Sequence, residues 1–152
     1  MALTIVLDTS PLSIVTKRRG LEEADACCKW IMECKDAGHR ILAPVVAYYE
    51  VARELTRIDN QFAWARLNHF CEVPGCYLPL EDSAIRLGVN LWAKARNKGL
   101  ATADPKELDC DVLIVAQALI LGVPFSDLLV ATINVGHLSR FVTSKLWHLI
   151  LP

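Results

Sequence analysis

Apolar and polar residues alternate in blocks along the chain, and the blocks predict buried strands separated by amphipathic helices. Residues 1–8 form an apolar, β-branched run that ends at a single carboxylate, Asp8, and is stopped by Pro11. Such a run is typical of a buried strand in a parallel sheet. Three further runs predict strands, at residues 41–43, 128–132 and 147–151.

Between these runs, apolar residues recur at the three- and four-residue spacing of helices that pack one face against a sheet. Gly38, Gly99 and Gly122 follow three of these segments, at the position where glycine commonly ends a helix. The segments predicted as helices are residues 21–35, 45–57, 59–70, 83–98 and 112–121.

The segment 45–57 has an apolar face and a charged face. Pro44 precedes it, at a position where a helix accepts proline without losing a hydrogen bond. The side chains expected to be buried include Val46, Tyr49, Ala52 and Leu55. The charged residues that share much of another face are Glu50, Arg53, Glu54 and Arg57.

Proline, glycine and polar residues mark the connections. Residues 71–80 contain two prolines and a glycine and predict a loop with at most a short edge strand. Residues 100–108 predict a connecting loop, and residues 134–137 predict a polar turn. Because strands alternate with helices, we expect one domain over residues 1–152, a three-layer α/β/α fold with a central, mainly parallel sheet.

Composition and charge narrow the function classes. Hydrophobic residues make up 53% of the chain, charged residues 22%, and the mean hydropathy is +0.32. This apolarity exceeds that of an average soluble domain, so we expect some apolar surface to meet a partner, and a homodimer is the expected state. The net charge of −1 provides no global positive field, so any affinity for phosphate must be local.

No segment predicts a membrane span or secretion. The longest apolar stretch, residues 112–121, is too short to cross a bilayer, and the N-terminal run meets Asp8 without a basic segment before it. We therefore expect a cytoplasmic protein. The cysteines have no C-x-x-C pair and no zinc-ligand spacing, which favours reduced thiols. They are Cys27, Cys28, Cys34, Cys71, Cys76 and Cys110.

Acidic residues stand at the ends of predicted elements or on helices that pack against the sheet. Asp8 leaves the first strand, Glu50 lies in the helix after the second, and Asp111 begins the most apolar helix. In a right-handed α/β layout these residues can converge at the carboxyl edge of the sheet. Converging carboxylates repel one another unless a cation neutralises them, and oxygen ligands suit Mg²⁺ or Mn²⁺.

Each acid also has a purely structural interpretation. Asp8 can serve as the N-cap of a following helix, and Glu50 can be a solvated partner of Arg53 and Arg57. Asp109 can cap the apolar helix that Asp111 enters, and Asp111 can complement that helix's dipole. Asp111 is the harder of these two to explain structurally, because its helix is apolar nearly all round and must enter the core.

Four motifs in this order resemble those of the PIN-domain ribonucleases, and the VapC-type toxins of bacterial toxin–antitoxin pairs are the most similar group. The resemblance spans nearly the whole chain, and its last two motifs are the specific ones. The motifs are residues 5–10 (IVLDTS), 48–51 (YYEV), 111–119 (DVLIVAQAL) and 130–141 (VATINVGHLSRF).

The resemblance implies a PIN fold and a metal-dependent endoribonuclease that cleaves RNA phosphodiester bonds and leaves a 5′ phosphate. It assigns Asp8, Glu50 and Asp111 as the catalytic, metal-binding carboxylates, with Ser10 supporting the site. Asn134 stands where the family has a variable fourth acid, and its carbonyl can ligate but brings no charge. The implied cofactor is Mg²⁺ or Mn²⁺, and the implied partners are RNA and an antitoxin protein.

Other function classes stay open on the residues alone. A PIN-like module weakened at Asn134 would bind RNA or a protein without cutting. A phosphoaspartyl enzyme would use Asp8 as nucleophile, but that chemistry wants a second acid at the position of Ser10. No G-x-G-x-x-G follows the first strand, which argues against a Rossmann dehydrogenase.

Local basic residues and histidines are less informative. Residues 17–19 (KRR) and the set Lys94, Arg96 and Lys98 suit a substrate path or ordinary solvated faces equally. His137 is interpreted as a turn residue after Asn134 rather than a catalytic one. Asp109 is interpreted as a helix cap that supports Asp111.

Overall fold

A computed structural model of the protein describes residues 1–100, 104 and 109–152. The strands are β1 (Thr4–Leu7), β2 (Arg40–Pro44), β3 (Tyr77–Leu78), β4 (Leu128–Thr132) and β5 (Ser144–Leu146). The helices are α1 (Thr9–Thr16), α2 (Glu22–Asp36), α3 (Val45–Arg57), α4 (Gln61–Glu72), α5 (Asp82–Asn97), α6 (Cys110–Leu119) and α7 (Val135–Leu138).

The five strands form one sheet in the order β3-β2-β1-β4-β5, and every described neighbouring pair is parallel. β1 lies at the centre, where Ile5 pairs with Ile41 of β2 and Leu129 of β4. All four of its side chains are buried, as expected for a strand covered on both faces. The predicted parallel sheet is confirmed, and its carboxyl edge is where Asp8 emerges.

Helices cover both faces of this sheet, which gives the predicted three-layer α/β/α arrangement. Helix α1 packs against α2, α3 and α4, and helix α5 packs against α6. The core is built from side chains with no exposed surface, among them Ile5, Leu7, Leu12, Ile114 and Val130. Burying a side chain of this kind contributes about 1.5–3 kcal/mol, so the core holds the strands in register.

Several predicted bounds agree closely with the structure. The helix predicted at 45–57 has those bounds, and the edge strand predicted within 71–80 is β3. Gly38 follows α2 with a φ of 87°, the left-handed conformation that ends a helix. The helix predicted at 59–70 begins two residues later, because Asp59 itself is left-handed with a φ of 54°.

Pro44 precedes α3 as predicted: it ends β2, where it pairs with Leu78, and is the N-cap of the helix. One prediction within α3 is wrong. Tyr49 is not buried but 54% exposed, and the Arg53 guanidinium lies over its ring, 5.4 Å from the centroid.

The C-terminal region also differs from the prediction. The turn expected at 134–137 is the one-turn helix α7, and the last strand is β5 rather than 147–151. Residues Trp147–Leu149 form a 3₁₀ turn instead. The Trp147 ring packs against Trp30, with centroids 5.7 Å apart, so this segment is held by aromatic packing rather than by strand pairing.

The remaining expectations concern loops, thiols and membranes. Most of the predicted loop at 100–108 lies outside the described residues. All six cysteines are free thiols, as predicted, and Cys27, Cys34 and Cys76 are buried. No described helix is both long and apolar enough to cross a membrane.

Candidate metal centre

Three separate elements bring the predicted acids to the carboxyl edge of the sheet. Asp8 follows β1 directly and is the N-cap of α1. Glu50 lies in the second turn of α3, which starts where β2 ends. Asp111 is in the first turn of α6, whose N-cap is Asp109. Asp8 and Asp109 thus do cap helices, as their structural interpretation predicted.

Asp8 is a buried carboxylate, 6% exposed, and both of its oxygens are held. The Thr9 amide donates to Oδ1 at 2.7 Å, and the Thr132 hydroxyl donates to Oδ2 at 2.6 Å. The same Thr132 oxygen accepts from the backbone amide of Asn134 at 2.8 Å. These contacts tie Asp8 to the end of β4, so this carboxylate is fixed rather than mobile.

Glu50 is held from the other two acid-bearing elements. The Thr9 hydroxyl, next to Asp8, donates to Glu50 Oε2. The Cys110 thiol, next to Asp111, lies close enough to Glu50 for the Glu50 charge to raise its pKa. Arg53 Nη2 lies 3.7 Å from Glu50 Oε1. Glu50 therefore lies near both Asp8 and Asp111, because Thr9 and Cys110 are the residues next to those two acids in the chain.

Asp111 faces the turn that follows β4. His137 Nδ1 is 3.4 Å from Asp111 Oδ2 and 3.0 Å from the side-chain nitrogen of Asn134. A protonated Nδ1 donates to Asp111, and an unprotonated Nδ1 accepts from Asn134. The side-chain amide of Asn134 is thus oriented toward His137, and the residue is exposed.

The acids influence one another electrostatically. Burial raises the pKa of Asp8, the Thr132 and Thr9 hydrogen bonds oppose the rise, and the charge of Glu50 adds to it. Burial also raises the pKa of Asp111, and the charges of Asp8 and Asp109 raise it further against the opposing effect of His137. Burial and Glu50 together raise the pKa of the Cys110 thiol to about 11.

Within the described residues, no three His, Cys, Asp or Glu side chains stand close enough together to hold a metal ion as they are placed. Glu50 and Asp111 are instead turned to other neighbours, the Arg53 guanidinium and the His137 ring. The donor set nonetheless fits a hard divalent cation, since it offers one buried and two half-buried carboxylates, and the charge of Asp8 is repelled by Glu50 and repels Asp111. Binding would require Glu50 and Asp111 to exchange these contacts.

Two adjoining cavities lead away from Glu50 along α1 and α3. The first, about 330 Å³, is lined by Thr9, Glu50 and Arg53 among others. The second, about 580 Å³, shares Ser13 with it and continues toward α4. Its far part combines cations with apolar side chains: Lys17, Arg18, Arg66, Leu21, Ile58 and Phe62.

Sequence reasoning missed three contact residues of this site: it assigned no role to Thr132 or Cys110 and treated His137 as a turn residue. It expected Ser10 to support the site, and the structure adds the hydroxyl of Thr9, one position earlier in the first turn of α1, which contacts Glu50. The available signal was position along the chain, since Cys110 is next to Asp111, and Thr132 and His137 lie within three residues of Asn134.

Comparison with known proteins establishes the fold. No protein-family model and no curated protein matches the chain. Among solved structures, the chain is similar to one in VapBC2 from Rickettsia felis bound to a DNA fragment from its promoter, at 12% identity and a TM-score of 0.70, covering 94% of this chain and 98% of that one.

Two further structures agree. FitAcB from Neisseria gonorrhoeae matches at 17% identity and a TM-score of 0.66, over 97% of this chain and all 100% of that one. VapBC-1 from nontypeable Haemophilus influenzae matches at 16% identity and a TM-score of 0.66, over 95% and 98%. At these identities the likeness establishes the fold alone, and the predicted PIN-like α/β fold is confirmed.

Proposed function

We propose that this protein is a Mg²⁺- or Mn²⁺-dependent endoribonuclease of the VapC type. The observation that carries the proposal is that Asp8, Glu50 and Asp111, from three distant segments, all lie at the carboxyl edge of the sheet, where Thr9, next to Asp8, donates to Glu50. Burial and neighbouring charges raise the pKa values of Asp8 and Asp111, which is typical of a functional site.

Each acid has a distinct part in this proposal. Asp8, anchored by Thr132 and the Thr9 amide, is the fixed ligand. Glu50 and Asp111 complete the set when they turn from Arg53 and His137 toward the ion. A divalent ion held there supplies Lewis-acid activation of water and neutralises charge on the phosphate. The freed Arg53 and His137 can then donate hydrogen bonds to phosphate oxygens.

The substrate path we propose is the pair of cavities that leaves Glu50 along α1 and α3. Lys17 and Arg18, predicted from the sequence as a local basic patch, line its far part together with Arg66. Phe62 on the same wall is 82% exposed and offers a ring on which an unpaired base can stack. These features suit single-stranded RNA. Because the net charge of the protein is −1, the RNA phosphates can be attracted only by local cations such as these.

An antitoxin partner and a homodimer belong to the same proposal. The three similar solved structures described above are of VapBC2, FitAcB and VapBC-1, which supports an antitoxin partner for this chain. The exposed side chains of Ile85 and Val89, four residues apart on α5, provide an apolar stripe that suits self-association. A cytoplasmic location remains our prediction.

The test of the proposed activity is cleavage of a labelled single-stranded RNA with Mn²⁺. We expect cleavage that stops with chelator and falls at least about 100-fold in Asp8→Asn and Asp111→Asn, with the fold retained by circular dichroism. Asp127→Asn is the matched control, because Asp127 precedes β4 and so lies at the opposite edge of the sheet. Cleavage that survives both site substitutions would contradict the proposal.

A second candidate is a PIN-like module that binds RNA or protein without cutting. Asn134, an exposed amide where a fourth acid is expected, favours it, as does the lack of a ready-made three-ligand group among the described residues. This candidate predicts Mn²⁺ binding with little turnover in the parent protein and cleavage gained in Asn134→Asp. Equal cleavage by the two proteins would exclude it.

A further inference from the structure

The apolar helix α6 contains one polar side chain that no function has yet explained. Gln117 interrupts the run of residues 112–121 and has no exposed surface. A buried amide without partners would cost stability, so its contacts show what it joins.

All the polar atoms of the Gln117 side chain are used, and they reach two other elements. Its oxygen accepts from the Val46 amide at 3.4 Å. Its nitrogen donates to the carbonyl oxygens of Leu78 at 3.0 Å and Pro79 at 2.9 Å. Gln117 therefore links α6 to the first turn of α3 and to the end of edge strand β3.

The contact with Val46 replaces a cap that α3 lacks. A helix begins with amides that have no partner inside the helix, and a polar side chain at the N-cap normally accepts from one of them. The N-cap of α3 is Pro44, which makes no side-chain cap hydrogen bond. Gln117 supplies the acceptor from a different helix, so the start of α3 is tied to α6.

A second contact joins the same two helices at the candidate metal centre. There α3 and α6 pack together, and Cys110 lies close enough to Glu50 for the Glu50 charge to raise the pKa of the thiol. Along α3 the two contact points, Val46 and Glu50, are about 6 Å apart, and along α6 the points Gln117 and Cys110 are about 10 Å apart. Two separated contacts fix both the sliding and the rotation of α3 relative to α6, which a single contact cannot do.

We propose that Gln117 is a positioning residue for the candidate metal centre. It holds α3 against α6 so that Glu50 stands in reach of the ion that Asp111 binds. This inference rests on the proposed function for its metal, but the helix contact it describes exists without one. Gln117 touches neither metal nor substrate and acts only through Glu50.

The main test is Gln117→Met, which keeps the side-chain length and removes all three hydrogen bonds. We expect Mn²⁺ affinity, measured by calorimetry, to fall about tenfold, in the range seen when a residue that orients a ligand is lost. The matched control is Trp30→Phe, which removes another buried side-chain bond, the 2.9 Å donation to the Ile150 carbonyl, which joins α2 to the C-terminal segment rather than α3 to α6. It should leave Mn²⁺ affinity unchanged.

A second readout needs no metal. Loosening α3 from α6 should expose Cys110, so its alkylation by iodoacetamide, followed by peptide mass spectrometry, should accelerate at least about threefold in Gln117→Met. Cys71 is the internal reference, since burial raises the pKa of its thiol to about 11 as well. The Cys71 rate should stay constant.

The outcomes are distinguishable. Mn²⁺ affinity and Cys110 labelling that match those of Trp30→Phe would overturn the positioning role. If the parent protein binds no Mn²⁺, the proposed function fails, while Cys110 labelling still decides the inference. Should Gln117→Met not fold, Gln117→Glu serves instead, because a buried, neutral carboxyl keeps an acceptor for Val46 and one donor for the Leu78 or Pro79 carbonyl. It should keep the parent's Cys110 rate, and a faster rate would contradict the inference.

Discussion

The hydrogen bond from Thr132 to Asp8 allows the electrostatics of the site to be tested through stability. Thr132→Val keeps the shape of the side chain but removes its hydroxyl. A hydrogen bond to a charged group is worth about 1.5–3 kcal/mol, and the lost bond from the Asn134 amide adds about 1 kcal/mol. We expect a loss of about 2–4 kcal/mol at neutral pH, or roughly 5–15 °C in Tm for a chain of this size.

The sign of the pH dependence follows from the pKa of Asp8. Burial already raises that pKa, and the Thr132 hydroxyl opposes the rise, so removing the hydroxyl raises it further. A carboxyl group whose folded pKa lies above its unfolded pKa destabilises the fold at a pH above both values, and this penalty disappears as the pH falls below both. The loss in Thr132→Val should therefore shrink in acid.

Urea unfolding at neutral pH and near the ordinary aspartate pKa of about 3.9 measures this difference. The control is Thr16→Val, because the buried Thr16 hydroxyl donates at 2.7 Å to a neutral acceptor, the Ser13 carbonyl. That substitution should cost about 1 kcal/mol at both pH values. If Thr132→Val loses as much in acid as at neutral pH, the account of Asp8 as a buried, charged carboxylate is refuted.

Two further predictions concern the other acids. Asp111→Asn removes a carboxyl group whose pKa is raised by burial and by the charge of Asp8, so in chelator the Tm of the variant should be higher than the parent's at neutral pH and not in acid. Mn²⁺ at about 100 times its Kd should stabilise the parent by about 2.7 kcal/mol and this variant by far less, as measured by thermal unfolding. Arg53→Ala removes an exposed ion pair with Glu50 that is worth at most about 1 kcal/mol, so Tm should change by only a few degrees. Because Arg53 would no longer compete with the ion for Glu50, Mn²⁺ should bind more tightly in calorimetry, and weaker binding would contradict this competition.

Much of the fold could be predicted because local patterns agree with the tertiary structure. The period of apolar residues in 45–57 and the left-handed Gly38 after α2 are local signals, and both predicted the observed boundaries. Tyr49 could not be placed, because its helical position is compatible with the core, whereas in the structure it lies at the surface with the Arg53 guanidinium over its ring. The 3₁₀ turn at Trp147 depends on Trp30, which is distant in sequence.

The candidate site was predictable in its acids and not in their partners. Asp8, Glu50 and Asp111 stand at ends or early turns of elements, where a parallel sheet gathers side chains at one edge. The hydroxyl of Thr9 and the thiol of Cys110 contact Glu50 only because of how α1, α3 and α6 cross. Gln117 gave a signal, a polar residue in an apolar helix, but its contacts depend on β3 and α3.

Direct measurement of Mn²⁺ binding tests the central claim that three carboxylates share one divalent ion. Calorimetric titration would compare the parent protein with Asp8→Asn, Glu50→Gln, Asp111→Asn and the opposite-edge control Asp127→Asn. We predict one Mn²⁺ bound by the parent and by the control, and an affinity at least about tenfold weaker in each of the three site variants. Affinity that is unchanged in any of those three variants, or equally weakened in the control, would contradict the account.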